Sequence, residues 1–167
     1  MSNKKVFIFL PDGVGLRNFA YTDFFKQGSA LGYDIVYWNN TPFPISQLGY
    51  PEIRMENAKM HPLTYIYKAA RKEIELTLNK RKTGDNVYDT YRFPLPYNSF
   101  KQSLKNIAIE FLIATHSSES GLKKIIGKID SVERKTETYK RNLEVLKREK
   151  PAMVFLTNQR QVIAIST

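Results

Sequence analysis

The residues best equipped for chemistry lie in three short polar stretches, each following an apolar run. They are Pro11-Asp12-Gly13-Val14-Gly15-Leu16-Arg17-Asn18, then Asn39-Asn40-Thr41, then Asn158-Gln159-Arg160-Gln161. Asp12 is a carboxylate that can take a proton from an attacking hydroxyl, or cap the helix behind it. Gly13 and Gly15 allow a tight turn and a close approach of backbone to a ligand, with Arg17 and Asn18 as donors to an anion. A guanidinium flanked by amides gathers many donors at Asn158, Gln159 and Arg160. The alternative at each stretch is structural: a turn that needs small residues, or a solvated loop.

Several chemistries are excluded. The chain has no cysteine, so it has no disulfide framework, thiolate metal site or cysteine nucleophile. Its two histidines, His61 and His116, stand far apart without a carboxylate cluster, and no metal site is expected. Neither a G-x-S-x-G elbow nor a G-x-x-x-x-G-K-[ST] loop occurs. The Gly13-x-Gly15 pair lacks the third glycine of a dinucleotide fingerprint, since Asn18 stands there, so no cofactor is expected.

The elements that must position these stretches are legible in outline. Lys4 to Leu10 is an uninterrupted β-rich run, as in a central parallel strand covered on both faces. A helix through Phe19, Phe24 and Leu31, ending at Gly28 or Gly32, and a second strand over Asp34–Trp38 complete a βαβ unit. Residues 41–57 read as loop, with a short strand around Phe43–Ile45. A helix runs from Pro62 to the Lys80-Arg81-Lys82-Thr83-Gly84 stop, and another from Asn98 or Ser99 to His116. Between them, Asp85–Tyr97 reads as extended loop. Leu122, Ile125, Ile129, Val132, Thr136, Tyr139, Leu143 and Leu146 follow a heptad rhythm, predicting one long amphipathic helix over 122–146. That helix either packs on the sheet or another helix, or serves self-association. A third buried strand is expected over Ala152–Thr157. The fold class is therefore α/β: a Rossmann-like three-layer domain with a parallel sheet and long amphipathic helices, one domain over 1–167. In such a sheet, ligands bind outside the carboxyl ends of the strands, where all three polar stretches fall.

Charge adds a surface property. The net charge is +10, and two segments hold the whole excess. Residues 59–82 carry seven basic against two acidic residues, and residues 121–150 carry ten against five. These are either solvated helix faces or surfaces for phosphate, anionic lipid or nucleic acid. Tyr88, Tyr91, Phe93 and Tyr97 offer stacking platforms for bases. The interleaved acids and the lack of any binding-module signature weigh against nucleic acid. The first apolar run stops at Pro11-Asp12 after about six residues, too short for a signal peptide, and no run approaches the ~20 residues of a membrane span. A cytoplasmic protein is expected.

The opening KKVFIFLPDGVGLRNFAYTDFFKQGSALGYDIVYWNN and the late KPAMVFLTNQRQVIAIS resemble the N-terminal half of bacterial GT-B glycosyltransferases of the kind found among cell-surface polysaccharide genes. The resemblance covers both ends well and the middle helices loosely. It implies two Rossmann-like domains facing a cleft: an N-terminal one for a glycan or lipid-linked acceptor, and a C-terminal one for the nucleotide-sugar donor. This chain would supply the acceptor half and lack the donor half, in keeping with an ending inside an α/β layer. The loop Asp12–Asn18 would face the cleft. Many such enzymes place a histidine base there; here Asp12 is the one candidate base, with Gly13, Gly15, Arg17, Asn18, Asn39, Asn158, Gln159 and Arg160 as substrate contacts. The basic helices would lie against the anionic inner membrane, at about 1 kcal/mol per Lys or Arg near the surface. The other reading is a stand-alone flavodoxin-like binding domain with a basic surface for an anionic partner, membrane or nucleic acid.

Overall fold

A computed structural model describes residues 4–55 and 58–157. They fall into two compact units: a sheet unit, Met1–Met60 with Thr136–Thr167, and a helical unit, His61–Lys135. The helical unit is an insertion in the connection between two strands.

The sheet unit holds four parallel strands, β1 (Lys5–Leu10), β2 (Asp34–Asn39), β3 (Glu52–Arg54) and β4 (Met153–Leu156), in the order β3-β2-β1-β4. Strand β1 sits inside the sheet because Phe7 to Leu10 are apolar without a break and need cover on both faces; all four are fully buried. Val6, Ile8 and Leu10 point to one face, with Ile35 and Tyr37 of β2. Phe7 and Phe9 point to the other, with Val36 and Trp38.

Two helical layers cover these faces. The first comprises α1 (Gly13–Gly15), a π-helical turn (Leu16–Ala20) and α2 (Phe24–Ala30), which bring Leu16, Phe19, Ala20 and Phe25 onto the Val6 face. The π turn accompanies a buried polar contact: Tyr37 Oη donates to the Phe19 carbonyl at 2.6 Å. Burial, and to a lesser degree the neighbouring Tyr50, pushes the Tyr37 phenol far above its ordinary pKa, so it stays a donor. On the Phe7 face lies α6 (Glu137–Glu149), which contributes Val145 and Leu146. There Phe7 and Phe9 each present an edge to Trp38, both with centroids 5.8 Å apart. The α/β architecture with a parallel sheet between helices is as expected.

The helical unit contains α3 (Thr64–Thr83), α4 (Phe100–His116) and α5 (Glu119–Glu133). Helix α3 ends at Gly84 in the left-handed region, φ 71°, a conformation that costs glycine little. The buried Glu133 carboxylate at the end of α5 accepts from His61 N and from the Thr64 hydroxyl, satisfying donors where α3 begins.

The structure corrects four expectations. The helix foreseen over 122–146 is two helices, α5 and α6, because Thr136 leaves the helix with extended backbone and its hydroxyl caps Tyr139 N at 3.1 Å. No strand forms at Phe43–Ile45; a 3-10 turn, Ile45–Leu48, stands there and the strand follows at Glu52–Arg54. Asp85–Tyr97 contains a 3-10 turn, Asn86–Tyr91, started by the Asp85 side chain. Strand β4 is an edge strand among the described residues, not a buried one: Met153 and Phe155 are exposed.

The two glycines of the first loop differ in environment, and their substitutions should separate. A Cβ on Gly15 would come within 2.5 Å of Thr157 Oγ1 and 3.2 Å of Leu10 Cδ2, whereas a Cβ on Gly13 meets nothing within 4 Å. Gly15→Ala is expected to destabilise the fold by about 1–3 kcal/mol. Gly13→Ala should be neutral, or stabilising by up to about 1 kcal/mol through its effect on the unfolded chain. Urea denaturation of the two variants measures the difference.

Candidate functional site

The loop after β1 is built as a helix start. Asp12 has extended backbone, φ −150° and ψ 176°, and its Oδ1 accepts from Val14 N and Gly15 N, each at 3.1 Å. The carboxylate proposed as a base therefore does the work of a cap. Gly15 is buried against the end of β4, where Thr157 Oγ1 donates to the Phe9 carbonyl at 2.9 Å. Its lack of a side chain serves strand–helix contact. Gly13, Arg17 and Asn18 are exposed, and Arg17 Nε approaches Asn18 Oδ1 at 3.5 Å.

Asn39 does not face a cleft. It is fully buried, its Nδ2 donates to the Phe43 carbonyl and to Glu52 Oε1, both at 2.7 Å, and its Oδ1 accepts from Thr41 N at 2.8 Å. This amide, at the end of β2, holds the following loop to β3. A buried polar side chain must satisfy its donors and acceptors, and Asn39 does so within the protein. The expected contacts at Asn158, Gln159 and Arg160 lie outside the described residues.

One concavity of the sheet unit lies on the Phe7 face, between β3 and α6; another, about 320 Å3, lies beside Tyr21, Lys26 and Tyr50. The first is a groove of about 280 Å3. Trp38, one residue from the carboxyl end of β2, lines it together with Arg54, the last residue of β3, and Met55 and Ala58 beyond. From α6 come Thr138, Arg141, Asn142, Glu144, Val145 and Arg148. Helix α6 crosses the sheet with its last turn tied to the amino end of β1 by Lys5 Nζ and Glu149 Oε2 at 3.2 Å. Its first turn therefore reaches the carboxyl ends, where ligands collect in parallel sheets.

Two features hold the groove open. The Thr138 hydroxyl donates to the Lys59 carbonyl and accepts from Lys59 N, both at 2.9 Å, fixing the chain after β3 against the first turn of α6. Asn142, one turn further on, is buried and polar where a leucine would fill the space. Arg141, Glu144 and Arg148 of α6 then line the cavity, and Arg54 borders it from β3 with its guanidinium turned to Phe43 and Glu52. Arg54 Nη1 donates to the Phe43 carbonyl at 3.1 Å and pairs with Glu52 at 3.2 Å; Arg148 pairs with Glu149 at 2.8 Å. An arginine has five donors, so such pairing leaves others for a ligand. Phosphate or carboxylate oxygens fit this donor set, and the apolar lining of Met55, Ala58 and Val145 beside it suits a hydrophobic moiety.

The sequence analysis missed this site because its residues come from a three-residue strand and from a helix read as part of a longer one. The basic run at 121–150 was the available signal, and Arg141 and Arg148 belong to it. Among the described residues, no group of three His, Asp or Glu side chains gathers as for a metal, and no helix is long and apolar enough to cross a membrane.

The Glu52 carboxylate, which braces the groove through Asn39 and Arg54, gives a pH signature. Burial pushes its pKa up, but hydrogen bonds from Asn39, the Ser46 and Ile45 backbone and Arg54 outweigh that and hold it at about 2. A carboxyl more acidic in the folded than in the unfolded chain contributes stability that is present above about pH 4.5 and lost as the pH falls toward 2. Glu52→Gln should lower stability at pH 7 by about 1–3 kcal/mol and flatten the acid limb between pH 5 and 2, read by thermal melts across that range.

Comparison with known proteins gives no counterpart: no family model, no curated protein and no solved structure matches this chain.

Proposed function

We propose that the sheet unit is the acceptor-binding domain of a sugar-nucleotide-dependent glycosyltransferase, and that the groove between β3 and α6 holds the anionic end of its acceptor. The observation that carries this reading is the pair of arginines from α6, Arg141 and Arg148, in a groove that Trp38 and Arg54 also line and whose α6 wall runs toward the carboxyl ends of parallel strands. A lipid-linked sugar diphosphate has the matching parts: phosphate oxygens for the guanidinium groups and an apolar stem for Met55, Ala58 and Val145. The parallel sheet with helices on both faces, and the resemblance of both chain ends to acceptor halves of GT-B enzymes, point the same way. In this reading the donor is held by a second domain. The exposed loop residues Arg17 and Asn18 belong to the cleft facing it. The reaction takes place at the cytoplasmic face of the inner membrane, where such acceptors reside and where a net charge of +10 favours residence.

Trp38 is the sole tryptophan of the chain and lines the groove, so its emission reports occupancy. Titration with farnesyl diphosphate, a short lipid diphosphate, should change that emission saturably, and farnesol should not. Arg141→Ala should weaken the response at least tenfold, about 1.4 kcal/mol. UDP-glucose, a donor, should leave the emission unchanged. A response absent with farnesyl diphosphate, or indifferent to Arg141, overturns the acceptor reading. Equal responses to inorganic phosphate and farnesyl diphosphate would favour a stand-alone anion-binding domain instead.

A further inference from the structure

The helical unit leaves one apolar face of a long helix in solvent. On α4, Phe100 is 81% exposed, Leu104 52%, Ile107 58% and Phe111 65%, and Ala114 is exposed as well. They follow one another at steps of four, three, four and three, the spacing of a seam that packs against a second helix. The opposite side of α4, at Asn106 and Ile109, is buried. The heptad rhythm noted over 122–146 is not the free seam: Ile125 and Ile129 are buried in the structure. The outward-facing seam lies one helix earlier.

We propose that this face of α4 joins a second copy of the chain, antiparallel, about a two-fold axis beside Ile107. Three observations select that occupant. The first is charge. The positions flanking the seam are Lys101, Ser103, Ala108, Glu110 and Thr115, one residue of each sign, on a helical unit with fourteen basic and eight acidic residues. An anionic membrane or nucleic acid would be met by the basic surface rather than by this neutral stripe. Two like-charged copies can bring such a stripe together without burying unpaired charge.

The second observation is shape. An antiparallel pairing centred on Ile107 sets Phe100, the bulkiest end of the seam, against Ala114, the smallest, twice by symmetry. The third is area. Tyr97 extends the patch along the Glu110 side, where its hydroxyl donates to Glu110 Oε1 at 2.6 Å, and it is 56% exposed. With the two phenylalanines and two aliphatic side chains, the patch offers on the order of 500 Å2 per copy, or about 1,000 Å2 in the pair, the lower limit for a specific interface. An interface of that size suits a reversible dimer.

The test uses the whole chain. Sedimentation equilibrium between about 1 and 200 µM should show a monomer–dimer equilibrium. Ile107→Glu, at an exposed position, should weaken it at least tenfold with far-UV circular dichroism unchanged. The chain has no cysteine, so a single one reports its own contact. Under mild oxidation Ile107→Cys should give a covalent dimer, and Phe100→Cys should do so only when mixed with Ala114→Cys. A monomer at all concentrations overturns the proposal, as does a dimer that Ile107→Glu leaves intact. Cross-linking of Phe100→Cys alone overturns the antiparallel arrangement. Pelleting of wild type, but not of Ile107→Glu, with phosphatidylglycerol vesicles would assign the face to a membrane and overturn self-association. The groove of the sheet unit takes no part in this test, so its failure leaves the acceptor reading as it stands.

Discussion

A parallel strand that is apolar at every position has no face to offer water, and β1 imposes that condition on the whole sheet unit. Phe7 to Leu10 are dry on both sides, so a helical layer is required on each. The chain meets the requirement from two directions. The segment between β1 and β2 covers the Val6 face, and α6, arriving from far along the sequence, covers the Phe7 face. Because the two covers leave β1 on opposite faces and lead to opposite neighbours, β2 and β4, the strand order turns at β1. The sheet thereby acquires the switch point that makes its carboxyl ends suited to binding.

The same condition explains why the two halves of the Pro11–Asn18 loop serve different ends. Close covering of β1 brings the helix start against Thr157, just past the neighbouring strand, and a side chain at position 15 would crowd it. Asp12 then satisfies the first amides of the turn. What reads in the sequence as a ligand loop is, in its buried part, the joint between sheet and helix. Its outward part, Gly13, Arg17 and Asn18, retains exposed donors.

Strands β1 and β2 and helices α3 and α4 were legible because each has a signal longer than its boundary uncertainty: an unbroken β-branched and aromatic run, or a helical stripe with a cap and a glycine stop. Strand β3 was not. Three residues carry no readable period, and it is placed by the Asn39–Glu52 contact and by Tyr37 N donating to the Pro51 carbonyl at 2.9 Å. The break at Thr136 was hidden for a different reason. The steps Val132, Thr136, Tyr139 stay in phase through it, so hydrophobic spacing alone reports a continuous helix. The local signal was there in Thr136 followed by Glu137, a capping hydroxyl before an acidic first turn. The groove depends on both hidden features, so it was illegible until they were in place.

Why a groove exists at all comes down to α6 changing character along its length. Its last turns bring Val145 and Leu146 onto Phe7, Phe9 and Trp38 and close the core there. Its first turns bring Thr138 and Asn142, buried yet polar, toward the same face. Thr138 turns its hydroxyl to the Lys59 backbone, which keeps the chain after β3 beside α6 instead of over the indole. Apolar side chains at 138 and 142 would extend the core and leave arginines 54, 141 and 148 as ordinary surface charges. With the polar pair, one edge of Trp38 borders an arginine-lined cavity while the rest of the ring stays in the core. The helix that completes the fold is thus also the one that withholds part of the sheet from it.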